Sequence, residues 1–248
     1  MTLAEFFQKN KKVALGFSGG VDSSYLLYAA LQNGASVRAY YVKAAFQPEF
    51  ELEDAKRLAK ELGADMKILP VDVLQAKEVT ANPANRCYYC KTKIFGTILA
   101  EAKKDGYSVL MDGTNASDDA GDRPGMKALQ ELKVCSPLRD AGLTKAEIRR
   151  LSEEAGLFTW DKPAYACLAT RIPTGTEITA EKLKKTEEAE GYLFSLGFTD
   201  FRVRMMGEMA KIQLPADQMP LLLKNREKIL AELGRNYRGV LLDLEARG

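Results

Sequence analysis

An α/β fold, a doubly wound parallel sheet, is predicted by three observations. Short apolar runs alternate with amphipathic stretches of helical period, the alternation persists from residue 12 to residue 155, and glycine-rich turns stand directly after two of the apolar runs. Strand 12–17 contains Val13-Ala14-Leu15-Gly16-Phe17, a continuous apolar run suited to burial on both faces. Helix 22–33 follows with Tyr25, Leu26, Leu27, Ala29 and Ala30, then strand 36–42. Helix 50–62 gathers Leu52, Ala55, Leu58, Ala59 and Leu62 on one face and leaves its charges mostly on the other. Strand 66–70, an irregular stretch and a helix near 91–104 complete a βαβαβα series. Strand 108–112, a short helix around 125–131, strand 133–137 and helix 144–155 continue it.

Beyond about residue 175 the order changes to helix 179–196, strand 199–205, strand 209–215, helix 218–233 and strand 237–244. This α-β-β-α-β series predicts a second, smaller sheet, with a first domain over 1–174 and a second over 175–248. Thr179 is the expected N-cap of its first helix.

The 248 residues hold 36 basic and 34 acidic side chains, a net charge of +2, so no polyanionic partner such as nucleic acid is expected. No apolar run approaches the roughly 20 residues of a membrane helix, and no signal-peptide segment opens the chain. A cytoplasmic protein is expected. Histidine is absent, which excludes Ser-His-Asp hydrolysis and histidine-ligated metals.

Ser18-Gly19-Gly20-Val21-Asp22-Ser23 links a strand to a helix start. Paired glycines let the backbone approach an anion, and open N–H groups at the helix N-terminus point toward it. Ser18 and Ser23 add hydroxyls, while Asp22 would meet phosphate through Mg²⁺. Glycines and caps of this kind also serve ordinary turns, and no Lys-Ser or Lys-Thr follows as in the kinase-type phosphate loop. The segment resembles the PP-loop, SGGxDS, of the ATP pyrophosphatase superfamily, whose members form adenylates and release pyrophosphate. Asp112-Gly113-Thr114-Asn115-Ala116-Ser117-Asp118-Asp119, after the apolar run Val109-Leu110-Met111, resembles that superfamily's second nucleotide loop. Gly113, Thr114 and Asp118 are its candidate nucleotide residues.

The four cysteines are Cys87, Cys90, Cys135 and Cys167. Cys167 lies in an irregular stretch bounded by Pro163 and Pro173, with Lys162 and Arg171 to favour its thiolate. A buried apolar cysteine beside a structural arginine is the alternative. Cys87-Tyr88-Tyr89-Cys90 suits a redox pair, part of a metal site or two thiols without metal.

Together SGGVDSS, RCYYCK and KPAYACLATRIPTG resemble the LarE family of ATP-dependent sulfur transferases, which make the nickel-pincer nucleotide of lactate racemase. The resemblance implies ATP and Mg²⁺ as cofactors and adenylylation of pyridinium-3,5-biscarboxylic acid mononucleotide, a small-molecule nucleotide substrate. Sulfur transfer at Cys167, aided by Arg171, would then give a thiocarboxylate. Either Cys167 surrenders its own sulfur, or Cys87, Cys90 and Cys167 hold a [4Fe-4S] cluster that carries sulfide. Arg202 and Arg204, on one strand face, match the family's substrate-phosphate residues, and relatives form homo-oligomers. Glu190 stands where the family has an acidic metal or interface residue, whereas Gln213 replaces an expected Glu and Met205-Met206 an expected histidine.

Three rivals share parts of the pattern. A tRNA-thiolating enzyme would need a basic surface. An amidating ligase like NAD or GMP synthetase would have no use for Cys167, and a nucleotide sensor would release no pyrophosphate.

Overall fold

In the computed structural model, which describes residues 1–118 and 124–247, the apolar runs of the N-terminal half pair as a four-stranded parallel sheet. Its chain runs α1 (Leu3–Lys9), β1 (Lys12–Gly16), α2 (Val21–Gln32), β2 (Ser36–Lys43), α3 (Glu49–Glu61) and β3 (Asp65–Pro70). A short helix α4 (Lys77–Thr80) intervenes before α5 (Arg86–Lys104), β4 (Val109–Met111), α6 (Pro124–Glu131), α7 (Pro137–Asp140) and α8 (Lys145–Glu154). After a 3₁₀ turn (Leu168–Arg171) come α9 (Ala180–Ser195), β5 (Arg202–Met206), β6 (Met209–Gln213), α10 (Met219–Lys224), α11 (Arg226–Leu233) and β7 (Gly239–Leu242).

The chain divides into two compact units, residues 1–73 with 85–162 and residues 74–84 with 163–248. The changeover at 162/163 precedes the expected boundary at 174/175, and the segment 74–84 joins the second unit. Hydrogen bonding accounts for this difference, since Gly175 N–H donates to Asn82 O and Ile178 N–H to Thr80 O, each at 2.8 Å.

Strand order in the first unit is β3-β2-β1-β4. The chain steps outward from β1 to β3, then returns to the other side of β1, so the carboxyl ends of β1 and β4 flank the switch point where α/β sheets bind ligands. The core beneath holds Leu15, Leu26, Leu27, Leu58, Met111 and Ile148. The second unit orders its strands β5-β6-β7, the first pair antiparallel and the second parallel. Leu193, Phe198, Phe201, Val203, Ile212 and Leu233 fill its core.

Several elements depart from the sequence expectation for local reasons. Helix α1 was not predicted; Thr2 and Glu5 cap it reciprocally while Phe6 and Phe7 bury its apolar side. Helix α5 starts at Arg86 rather than near 91, which puts both cysteines of Cys87-Tyr88-Tyr89-Cys90 in its opening turns. Expected strand 133–137 shrinks to one bridge between Cys135 and Met111, because α7 starts at Pro137. Expected helix 218–233 breaks at Asn225, whose side chain takes the Leu221 carbonyl at 2.9 Å. Among the described residues no helix is long and apolar enough to cross a membrane.

Candidate active site

The loop between β1 and α2 is drawn tight by its own hydroxyls. Ser18 and Ser23 Oγ atoms stand 3.0 Å apart, Gly20 N–H donates to Ser18 Oγ at 3.3 Å, and Ser23 Oγ donates to Gly20 O at 3.1 Å. Gly19 adopts φ +74°, and a Cβ there would lie 3.1 Å from that of Ala55. Both facts require glycine. Gly20 is the N-cap of α2 and among the described residues no side chain caps that end, so the first-turn amides of a twelve-residue helix face an anion's place.

The loop after β4 comes close beside it. A Cβ on Gly113 would stand 2.9 Å from the Ser23 amide nitrogen, so the two backbones meet only because Gly113 lacks one. Asp112 organises this second loop by accepting from Thr114 Oγ1 and, at 2.7 Å, from Ser136 Oγ. The Asp118 carboxylate accepts from Asn115 N–H at 3.0 Å, and its carbonyl accepts from Arg139 Nη2. Thr114 and Asp118 therefore shape the loop through contacts of their own, and Asp119, the motif's last residue, lies outside the described residues.

Asp22 stands in the first turn of α2 with both carboxylate oxygens engaged. Asn115 Nδ2 donates to Oδ1 at 3.2 Å and Lys145 Nζ to Oδ2 at 2.6 Å. A single carboxylate beside a phosphate-ready loop fits Mg²⁺, which binds through one or two carboxylates plus substrate phosphates. Lys162 reaches this unit as well, with its ammonium 2.7 Å from Asp54, 3.4 Å from Glu51 and 3.5 Å from the Gly19 carbonyl. The ammonium expected to flank Cys167 is thus engaged within the first unit.

In the second unit, Cys167 is half-exposed at the head of the 3₁₀ turn. Arg171, three residues into that turn, is 1 % exposed and so is Glu190. Glu190 is the hub. Its carboxylate accepts from Arg171 Nε at 2.7 Å, Arg171 Nη2 at 3.1 Å, the Val203 amide at 2.8 Å and the Tyr165 hydroxyl. Arg171 Nη1 spans back to Ala166 O at 3.0 Å and Thr170 Oγ1 at 2.8 Å, on either side of Cys167. Burial works against the Arg171 charge, but Glu190, Tyr165 and Cys167 outweigh it and raise its pKa. Arg171 thus acts on the sulfur loop as a buried brace.

Arg202 is 5 % exposed, donating to the carbonyls of Phe201 and Ala164, and stacks over the Tyr165 ring at 5.2 Å. Arg204 donates to Thr170 O at 2.8 Å and to Gln213, which in turn donates to Asp243 at 2.7 Å. Burial first, then Arg171 and Arg247, push Arg202 down to about 10 and lower Arg204. Gln213, where an acid was expected, works as a link between an arginine and an aspartate.

Cys87 and Cys90 stand one turn apart on α5, exposed and half-exposed. They belong to the first unit and Cys167 to the second. Among the described residues no group of three or more cysteine and acidic side chains is gathered to hold a metal, so neither unit assembles the cluster's ligand set by itself. Sequence reading missed Lys145, Tyr165, Asn115 and the hub role of Glu190. Their partners are 123, 25, 93 and 19 residues away, beyond any local signal.

The profile of queuosine biosynthesis protein QueC matches residues 12–86, which span the first glycine loop. A tRNA-specific 2-thiouridylase MnmA of a Thermotoga species is 28% identical over 59% of this chain and 52% of its own length. With the parallel sheet and its two loops, these define an ATP-using enzyme of the PP-loop class. An uncharacterized protein of Synechocystis is 37% identical over 98% of this chain and 92% of its own length. Pyridinium-3,5-bisthiocarboxylic acid mononucleotide synthase of Lactiplantibacillus plantarum is 32% identical over 98% of this chain and 89% of its own. The chain belongs to the LarE family of ATP-dependent sulfur transferases.

Proposed function

We propose that this protein converts a carboxylate of pyridinium-3,5-biscarboxylic acid mononucleotide into a thiocarboxylate, with ATP as activator and Cys167 as the sulfur donor. One observation carries the reading: Cys167 heads a turn whose two sides are tied to a buried Arg171–Glu190 pair, leaving the thiol itself half-exposed. Ser18, Gly19, Gly20 and Ser23 hold the phosphates, Asp22 would hold the accompanying Mg²⁺, and Gly113, Thr114 and Asp118 form the facing wall. Mg²⁺ neutralises charge on the phosphates when bound. Arg202 and Arg204, on one face of β5, receive the substrate phosphate; burial first and the charges of Arg171 and Arg247 second lower both guanidinium pKa values, and an anion would offset the second contribution.

The chemistry balances without histidine. A substrate carboxylate oxygen attacks the α-phosphorus of ATP, expelling pyrophosphate and leaving an acyl-adenylate. The Cys167 thiolate attacks the acyl carbon and expels AMP, forming a thioester. Removal of the Cys167 α-proton breaks the Cβ–S bond, giving the thiocarboxylate and dehydroalanine at position 167.

Intact mass after one turnover tests this. A loss of about 34 Da, the mass of H₂S, is expected at position 167. Cys167→Ala should still release pyrophosphate but form no thiocarboxylate; full thiocarboxylate yield from that variant would overturn the reading. A second reading draws support from Cys87 and Cys90 standing one turn apart. With Cys167 they would ligate a [4Fe-4S] cluster, which supplies a sulfide, and anaerobically purified protein would contain iron and keep its mass. Use of ATP argues for a cytoplasmic setting. Homo-oligomeric assembly belongs to the same reading and is measured by sedimentation.

A further inference from the structure

Lys145 is the first residue of α8, after the Thr144 cap. A cation is disfavoured there, because the positive end of the helix dipole lies at the N-terminus. What holds it is Asp22, 2.6 Å away and itself in the first turn of α2. The α8 N-terminus has its own carboxylate in the Thr144–Glu147 capping box, so Asp22 is left to pair with the Lys145 ammonium. The backbone of Lys145 is also fixed, its N–H donating to Ser117 Oγ at 3.0 Å. Lys145 and Asp22 side chains are 33% and 23% exposed, so the pair is open to a ligand on one side.

We propose that Lys145 is a nucleotide-binding residue that changes partner when Mg²⁺ and ATP arrive. Without nucleotide its ammonium neutralises Asp22 and occupies Oδ2. Mg²⁺ would compete with the ammonium for this carboxylate, whose Oδ1 also accepts from Asn115. Once the metal has it, the ammonium is released beside the loop that holds the phosphates, where anionic oxygens replace the carboxylate. Lys145 then serves twice, excluding free metal from the empty site and adding a charge-assisted hydrogen bond to bound ATP. The proposal rests on the ATP·Mg²⁺ reading of the glycine loops.

Binding measurements without the carboxylate substrate separate the two. Calorimetry with ATP and Mg²⁺ on the unaltered protein tests the reading itself, and lack of binding there would remove it along with the proposal. Given binding, Lys145→Met should weaken ATP affinity about tenfold or more, the scale of a lost hydrogen bond between charged groups. Mn²⁺ affinity in the absence of nucleotide, read by electron paramagnetic resonance, should rise about threefold or more as Asp22 is freed. Lys145→Arg should hold ATP within about threefold of the unaltered protein. If Lys145→Met leaves ATP affinity unchanged, or weakens ATP and Mn²⁺ together with a lower melting temperature, the partner change is wrong. Lys145→Gln supplies the same comparison should the methionine variant fail to fold.

Discussion

Glu190 illustrates how much one side chain can determine. It is 1 % exposed and accepts four hydrogen bonds, two of them from a guanidinium that is equally buried. Glu190→Ala would leave Arg171 charged and unpaired in the interior, a loss of about 3–5 kcal/mol. Tyr165→Phe removes only one donor to a carboxylate that keeps its other three, and about 1.5–3 kcal/mol is expected. Urea denaturation with an unchanged m-value checks both numbers. Equal losses from the two variants would contradict Glu190 as the hub. The sequence offered Glu190 as an acidic residue of metal or interface type and Arg171 as a cation favouring the Cys167 thiolate. Neither assignment conveyed that the two face each other, because the turn holding Arg171 and the helix holding Glu190 meet only in the folded second unit.

At the scale of elements, Asp105 fastens three of them. It is the C-cap of α5, an unfavourable end for an anion, and it accepts from Lys67 on β3 at 3.0 Å, from Tyr40 on β2 at 2.8 Å and from Arg38 on β2 at 3.1 Å. Hydrogen bonds from Lys67 and Tyr40, then Arg38, push its carboxyl from an ordinary 3.8 down to about 2. Its pKa is lower folded than unfolded, so the unfolded chain binds more protons between those values. Its contribution is therefore complete above about pH 4 and fades as pH falls toward 2. Asp105→Asn should lower the melting temperature at neutral pH and flatten its decline between pH 4 and 2, with the two curves converging below. Parallel curves through that range would rule out this role. Elsewhere in the first unit the elements were legible, since Leu52, Ala55 and Leu58 mark one face of α3 and the Val13–Phe17 run marks β1. Where the reading slipped, local and tertiary forces compete: tyrosines and cysteines make a weak helical signal at 87–90, and a single bridge at Cys135 is too little pairing to mark a strand.

For the whole molecule the informative fact is that the second unit takes a piece of chain from inside the first. Residues 74–84 leave after β3 and return at α5, and nothing in their composition announces it. Asn82 is what secures them. Fully buried at φ +53°, it donates Nδ2 to Pro173 O at 2.8 Å, Thr176 O at 3.1 Å and Ile172 O at 3.3 Å. These carbonyls close the loop that follows Cys167. Asn82→Ala would take the side-chain donor from all three, leaving Pro173 O its Thr176 N–H, and put a Cβ without side-chain compensation in a left-handed conformation, costing about 2–4 kcal/mol. The two units have separate cores, so ATP affinity, which the proposed function assigns to residues of the first unit, should shift less than about twofold. Thiocarboxylate yield, which the proposed function assigns to the Cys167 loop in the second, should drop about tenfold or more. Measuring both on the same preparation at a temperature below its melting midpoint decides the matter. If ATP affinity falls in step with yield, the cradle and the sulfur loop are one energetic unit, and the division of labour between activation in the first and sulfur delivery in the second must be given up.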